Sequence, residues 1–144
     1  MNRLVYKLAA SNEELNAAFE VRRKVFVEEQ GISEHEEWDG HDEEALHIVV
    51  KDGEKIVSTA RVLVLNESQA KLERMAVLKP FRSKGVGREI VAFVSEILRE
   101  RKVNQIVLHA QYQVVDFYKS CGFEETGSPF WEAGIKHIKM QKRI

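Results

Sequence analysis

The chain is poor in residues that staple, break or link. Its 144 residues include one cysteine, Cys121, so no intramolecular disulfide can form, and no CxxC pair offers a zinc-type spacing. That composition suits a reducing compartment, and a cytoplasmic location is the expectation. With two prolines and no Ser/Pro-rich stretch, nothing marks a linker, an internal repeat or a low-complexity segment. No apolar run approaches the ~20 residues of a membrane-spanning helix. The N-terminal MNRLVYKLAASN is interrupted by Lys7, so neither a signal peptide nor a membrane partner is expected. Charge of one sign is also lacking: 22 basic residues face 23 acidic ones, net −1. A broad basic surface for nucleic acid is therefore not expected, and any electrostatic argument must be local.

What remains is an ordinary globular composition, 44% hydrophobic and 31% charged, long enough for one domain over residues 1–144 with a sizeable core. Leu4 to Leu8 reads as a strand. Ser11 followed by Glu14 has capping-box spacing, and the helix it opens turns Leu15, Ala18, Phe19 and Val25 toward the core. Arg22, Arg23 and Lys24 fall near that helix's end, where cations suit the dipole. Residues 28–44 hold nine acids and no Lys or Arg, and read as a short helix plus loop. Leu46 to Lys51 and Ile56 to Leu65 form a hairpin about Asp52-Gly53. A strand from about Ala70 to Val77 follows, then a helix from near Gly85 with Val86, Ile90, Phe93, Val94, Ile97 and Leu98 at helical period. Gln105 to Ala110 is a strand, Val114 to Ser120 a short helix stopped by Gly122, and Phe123 to Thr126 and Ile135 to Lys142 close the domain. The order predicts an α/β fold with a mixed sheet.

One junction asks for a chemical reason. In LERMAVLKPFRSKGVGREIVAFV, Leu72 to Val94, an apolar strand enters a basic turn with two glycines and then a helix. The first N–H groups of a helix lack intrahelical partners, and the dipole adds positive potential there. Gly85 and Gly87 leave the backbone open to an anion, and Arg82, Lys84 and Arg88 surround it. A side chain at Gly87 is expected to intrude on that anion. The turn suits a phosphate or pyrophosphate, yet it is neither a Walker A loop, having no GK[ST], nor a dinucleotide fingerprint, since Ile90 stands where a third glycine is needed. Alone, it also reads as a common turn with solvated cations.

A second motif, DFYKSCGF (Asp116 to Phe123), follows the strand QIVLHA. RSKGVG resembles the Arg/Gln-x-x-Gly-x-Gly/Ala signature of the GNAT superfamily, the acyl-CoA-dependent N-acetyltransferases, and FYKSCGF resembles its second landmark. VRRKVFVEEQG, ALH and GIKHIKM are similar to the small ElaA/YjcF-type members. The resemblance covers most of the chain. It implies a single twisted mixed sheet of about six to seven strands, with about four helices and two central parallel strands that splay apart, here those ending near Val77 and Ala110.

The resemblance also implies a chemistry, transfer of an acetyl group from acetyl-CoA to a primary amine of a small molecule or peptide by direct attack in a ternary complex. Ser83, Lys84, Gly85, Val86, Gly87 and Arg88, with Arg82, would hold the pyrophosphate. Met75, Ala76 and Val77 would pair with the pantetheine arm, the Val77 N–H would meet the thioester oxygen, and Gln111 and Tyr118 would complete the cofactor site. Tyr118 matches the family's acid for the departing thiolate; otherwise it is a core aromatic beside Phe117. The base is left between Glu73, expected by strand alternation to share a face with Met75 and Val77, and Glu28, after the first helix, with bulk water a further choice. Each glutamate also reads as a solvated carboxylate.

Other features stay open at this level. The acidic 28–44 segment either draws a cationic amine or is a solvated loop. His35, Asp39, His41 and Asp42 match no familiar metal spacing, and no metal is expected. His47, His109 and His137 read as strand histidines, His109 ending a splayed strand within reach of ligand. Cys121 reads as buried packing. Phe130 and Trp131 could anchor an acceptor pocket or an interface, and a homodimer is left open. The competing functional reading is a non-catalytic CoA-binding sensor or interaction module.

Overall fold

The structure, a computed structural model, describes residues 3–144. Ser11 caps the first helix: its hydroxyl accepts the Glu14 N–H at 3.1 Å, and the Glu14 carboxylate accepts the Ala10 N–H at 2.8 Å. That helix, α1 (Asn12–Arg22), follows β1 (Val5–Leu8) and runs without interruption into a π-helical segment, Arg23–Glu29. No glycine or proline stands before Gly31, so the helix does not end at the Arg22-Arg23-Lys24 cluster as expected from the charges. Arg22 is buried instead of capping a free end.

A short helix, α2 (Glu34–Glu37), precedes β2 (Leu46–Asp52), β3 (Lys55–Val64) and β4 (Gln69–Val77). Then come α3 (Val86–Glu100), β5 (Gln105–Gln111), α4 (Val115–Ser120), β6 (Glu124–Glu132) and β7 (Ile135–Arg143). The seven strands form one sheet in the order β1-β2-β3-β4-β5-β7-β6. On one face, Val86, Ile90, Val94 and Leu98 of α3 pack on Leu72, Ile106, Leu108 and Met140. On the other, Ala18, Val21 and Val25 cover Val49, Ile56 and Ala76. β6 continues six residues past the expected end at Thr126. Gly127-Ser128-Pro129 forms an irregularity inside the strand, and pairing resumes at Phe130. β6 is an edge strand, where a proline costs no ladder bond.

Two departures from regularity shape the sheet's centre. β4 and β5 are parallel and pair only from Gln69–Lys71 to Gln105–Val107. Beyond that, β4 stays with β3 and β5 with β7, so a wedge opens between them. In β4, Thr59 faces Ala76 but Arg61 faces Glu73, so three residues of β4 span two of β3. The extra residue is Arg74, at φ 54°. This is a β-bulge with a non-glycine in the left-handed region.

The bulge overturns the expected alternation. Ala70 and Leu72 face α3, and after the inserted residue Met75 and Val77 pack toward that same core. Glu73 points to the opposite face, where it meets Arg61. Glu73 therefore does not share a face with Met75 and Val77.

Candidate active site

A cavity of about 1230 Å³ fills the wedge and passes from the N-terminus of α3 to the α2 side of the sheet. Its walls bring together most residues singled out in the sequence: Glu73, Met75, Ala76 and Val77 from β4, Arg82, Ser83, Gly85, Val86, Gly87 and Arg88 from the turn, Gln111 from β5 and Tyr118 from α4. Lys84 and Glu28 do not line it. Glu28 is exposed, and its neighbour Glu29 takes the place on the wall.

The backbone of β4 is open to this cavity. Leu78 donates to the Val57 carbonyl at 3.0 Å, and β3 and β4 run antiparallel with Ser58 opposite Val77. Hydrogen-bonded and non-bonded pairs alternate along such a ladder. Val77 is thus in a non-bonded pair, and its N–H and carbonyl face the wedge. The carbonyl accepts from Arg82 Nε at 2.8 Å, which leaves the N–H aimed into the cavity.

At the other end, Gly85 takes φ 85°, and no side chain caps α3. Its first N–H groups therefore face the cavity without a capping oxygen. The two glycines do different work. A Cβ on Gly85 would meet open space but a strained φ, whereas a Cβ on Gly87 would lie 2.9 Å from the Phe117 ring. A side chain at Gly87 would meet the Phe117 ring before it reached the anion site. Two cations are committed elsewhere. Arg82 pairs with Glu29 at 2.9 Å, and Arg88 donates to the Ser120 carbonyl and hydroxyl at 3.1 and 2.9 Å. Arg88 thereby ties the start of α3 to the end of α4.

Tyr118 is half-buried between Phe117 and Phe123, edge-on to both at 5.0 and 5.7 Å. Burial, then the neighbouring Cys121, push its phenol above the ordinary value of about 10. It stays protonated at neutral pH and keeps a proton to donate. Cys121 is buried packing beneath it.

The acidic segment is largely consumed from within. Arg22 Nε donates to Glu37 and its Nη1 to Asp42, both at 2.7 Å. Arg61, fully buried, donates to Asp39 at 2.8 Å, Asp42 at 3.0 Å and Glu73 at 2.8 Å. Arg74 reaches Asp39 at 3.1 Å. Asp39 and Asp42 thus do not join His35 and His41 in a metal cluster; His41 pairs with Glu44. No local pattern in the sequence marks this network, because its members come from α1, α2, the segment before β2, β3 and β4. The one clue was two arginines, Arg22 and Arg61, in apolar-patterned positions.

The network sets an acid limit on stability. Bonds to Arg61 hold Asp39 well below the carboxylate range, and Asp42 is held down by Arg22 and Arg61 against the opposing pull of burial. Groups with depressed folded pKa values stabilise above the unfolded value, about 3.9, and that stabilisation is lost as pH falls through the folded value. Burial pushes Glu37 the other way, which blunts the loss. The urea midpoint should be level from neutrality to about pH 5 and fall steeply below about pH 4. A midpoint unchanged at pH 3 would show that the carboxylates are not paired in solution.

On the α2 side, His109 and Glu132 line the cavity with His137. His109 Nδ1 lies 3.0 Å from the Glu132 carboxylate, and the ring is edge-on to Phe130 at 4.9 Å. His137 Nδ1 donates to the Ile135 carbonyl at 2.7 Å. His47 is bonded to the Asp42 carbonyl at 2.8 Å, away from the cavity. Among the described residues no helix is long and apolar enough to cross a membrane.

Residues 8–144 match the family model described as an acetyltransferase (GNAT) domain. The Bacillus subtilis N-acetyltransferase YjcF is 40% identical over 136 residues, which cover 94% of this chain and 96% of that one. The crystal structure of Escherichia coli ElaA superposes with a TM-score of 0.85 at 25% identity, covering 97% of this chain and 99% of the other. A GNAT family acetyltransferase from Elizabethkingia anophelis, solved with acetyl-CoA bound, has a TM-score of 0.72 at 12% identity, with 98% of each chain covered.

Proposed function

The chain belongs to the GNAT family of acetyltransferases, among its ElaA/YjcF-type members, and from that premise we propose that it transfers acetyl from acetyl-CoA to a primary amine by direct attack. It is an acyltransferase, and acyl-CoA-dependent N-acetyl transfer is the family's general activity. The observation that carries the finer reading is the Val77 N–H turned into the wedge, in one cavity with the uncapped start of α3 and with Tyr118.

In this reading the cosubstrate supplies an activated acyl carbon. The N–H groups opening α3 bind the pyrophosphate, and the exposed edge of β4 from Met75 to Val77 pairs with the pantetheine arm. Attack puts negative charge on the thioester oxygen. A donor already aimed there, the Val77 N–H, is worth about 3–4 kcal/mol in comparable sites. Tyr118 gives its proton to the departing thiolate. The amine is a small molecule or peptide, entering from the α2 side, where Glu73, His109 and Glu132 stand.

Melting curves with acetyl-CoA, CoA and ATP in parallel test the reading. Acetyl-CoA at a hundred times its dissociation constant adds about 2.7 kcal/mol, a rise of roughly 5–10 °C for a chain of this size. The rise should appear with both CoA species, not with ATP, and should shrink in Gly85→Asp, which sets a strained, negative side chain in open space at the anion site. No rise with any of them removes the acyl-CoA reading. Binding without free-thiol release across an amine panel favours the sensor or interaction module instead.

A further inference from the structure

We propose that His109 takes the proton from the incoming ammonium group and that Glu132 positions it, which assigns the base to β5 and not to the glutamates on β4 or after α1. The inference rests on the acetyl-transfer reading above and names one further residue in it.

Glu73 is poorly placed for the task. One oxygen accepts from Arg61 at 2.8 Å, and the other lies 3.4 Å from Lys71 Nζ. Taking a proton there would leave a buried guanidinium short of a partner. Glu28 is off the cavity altogether. His109 has the geometry they lack. On β5 the side chains of Ile106, Leu108 and Ala110 enter the α3 core. His109 alternates with them and emerges on the opposite face, the one Glu73 shares. A carboxylate only accepts once ionised, so the Glu132 contact at 3.0 Å fixes the proton on Nδ1. The lone pair then sits on Nε2, on a ring that lines the cavity and is 32% exposed. The Glu132 carboxylate also stabilises the imidazolium that forms, and its own pKa is lowered, first by its bond to His109. A carboxylate behind an imidazole is the arrangement that orients a histidine base and supports its cationic form.

His137 is the rival within reach. Its Nδ1 proton is fixed by a neutral carbonyl, not a carboxylate, and the ring is only 8% exposed, so it presents less of itself to the cavity. The charged groups around the pair are Lys71 and Glu73 on β4, Glu132 on β6 and Lys139, the register partner of His109, on β7. The step balances simply. The Nε2 lone pair accepts one proton from R–NH3+, leaving R–NH2 and an imidazolium paired with Glu132. The amine nitrogen bonds to the acyl carbon, and the C–S bond breaks. Tyr118 protonates the thiolate and is reset by the second proton the nitrogen sheds. One proton in all leaves, through His109 to solvent.

Two measurements test this. Long-range 15N–1H spectra of the imidazoles, assigned with His109→Gln, should show the Nδ1–H form for His109 in the wild type and its loss in Glu132→Leu, which has no acceptor to offer. An Nε2–H form in the wild type overturns the proposal without any turnover being needed. Free-thiol release is then compared with benzylamine, an ammonium ion at neutral pH, and methoxyamine, which is already neutral. His109→Gln should lose on the order of 10²-fold with benzylamine and no more than about 3-fold with methoxyamine. The acetyl-CoA melting shift should be unchanged, His137→Asn should keep most of the activity, and imidazole should restore part of the rate to His109→Ala. Equal losses with both amines would make His109 structural and overturn the assignment while leaving acetyl transfer intact. A wild type that binds acetyl-CoA yet releases no thiol with any amine would overturn both.

Discussion

Replacing Tyr118 with phenylalanine is expected to cut turnover by about 10²- to 10⁴-fold and to leave acetyl-CoA affinity nearly unchanged. The substitution removes one oxygen and nothing else. The ring keeps its edge-on contacts with Phe117 and Phe123, so α4 and the wall it forms stay in place. What disappears is the proton. A thiolate must leave against an amine that can itself be expelled, and without a donor the reverse step gains. Since burial raises the phenol's pKa, the donor stays loaded across the neutral range. The reference values, about 10 for phenol and 8.5 for thiol, mean that protonating the sulfur runs uphill by a modest amount, which burial enlarges. On the proposed mechanism, donation then accompanies C–S cleavage and is not a separate step. Steady-state rates with saturating acetyl-CoA, beside a melting shift for the same variant, check the prediction. A turnover within 3-fold of wild type would make Tyr118 a packing residue.

The largest stability effect is expected at Arg61. Arg61→Met should cost about 3–5 kcal/mol, a fall of roughly 10–20 °C in melting temperature. The guanidinium is wholly buried and serves three carboxylates, Asp39, Asp42 and Glu73. Methionine fills much of its volume, so packing loss is small and the cost comes from the charges left behind. Asp39 keeps Arg74 and Asp42 keeps Arg22, but Glu73 retains only the more distant Lys71. A second replacement, Glu73→Gln, should therefore recover part of the loss. If Arg61→Met melts within about 3 °C of the wild type, the cluster is not carrying the α2 region. The same pair separates scaffold from chemistry: recovery of fold and rate together in the double variant would place Glu73 among the supports.

The sequence displayed its local rules well and its long-range ones poorly. Gly85, the N-cap at Ser11 and the stripe on α3 each act within a turn or two of chain, and each was legible. The wedge and the family were legible because two short motifs fix backbone shape. Glu73 was misplaced because alternation counts residues, and a bulge adds one without a glycine to announce it. The Arg22–Arg61 network left no trace beyond two arginines in apolar-patterned positions, because acids and bases from distant elements meet only after folding. His109 was legible as a strand histidine within reach of ligand, but its partner Glu132 was not, because β6 brings it there only on folding.

The bulge at Arg74 works as a phase change in β4. Ahead of it, the strand's side chains and hydrogen bonds are in one rhythm, and Glu73 belongs to the scaffold. Behind it the rhythm is shifted by one, so the amide of Val77 turns from β3 toward the gap. The direction of the Val77 amide thus depends on Arg74 staying outside the ladder. Were Arg74 drawn into the ladder as an ordinary strand residue, with nothing removed, the Val77 amide would turn back to β3 and close the wedge.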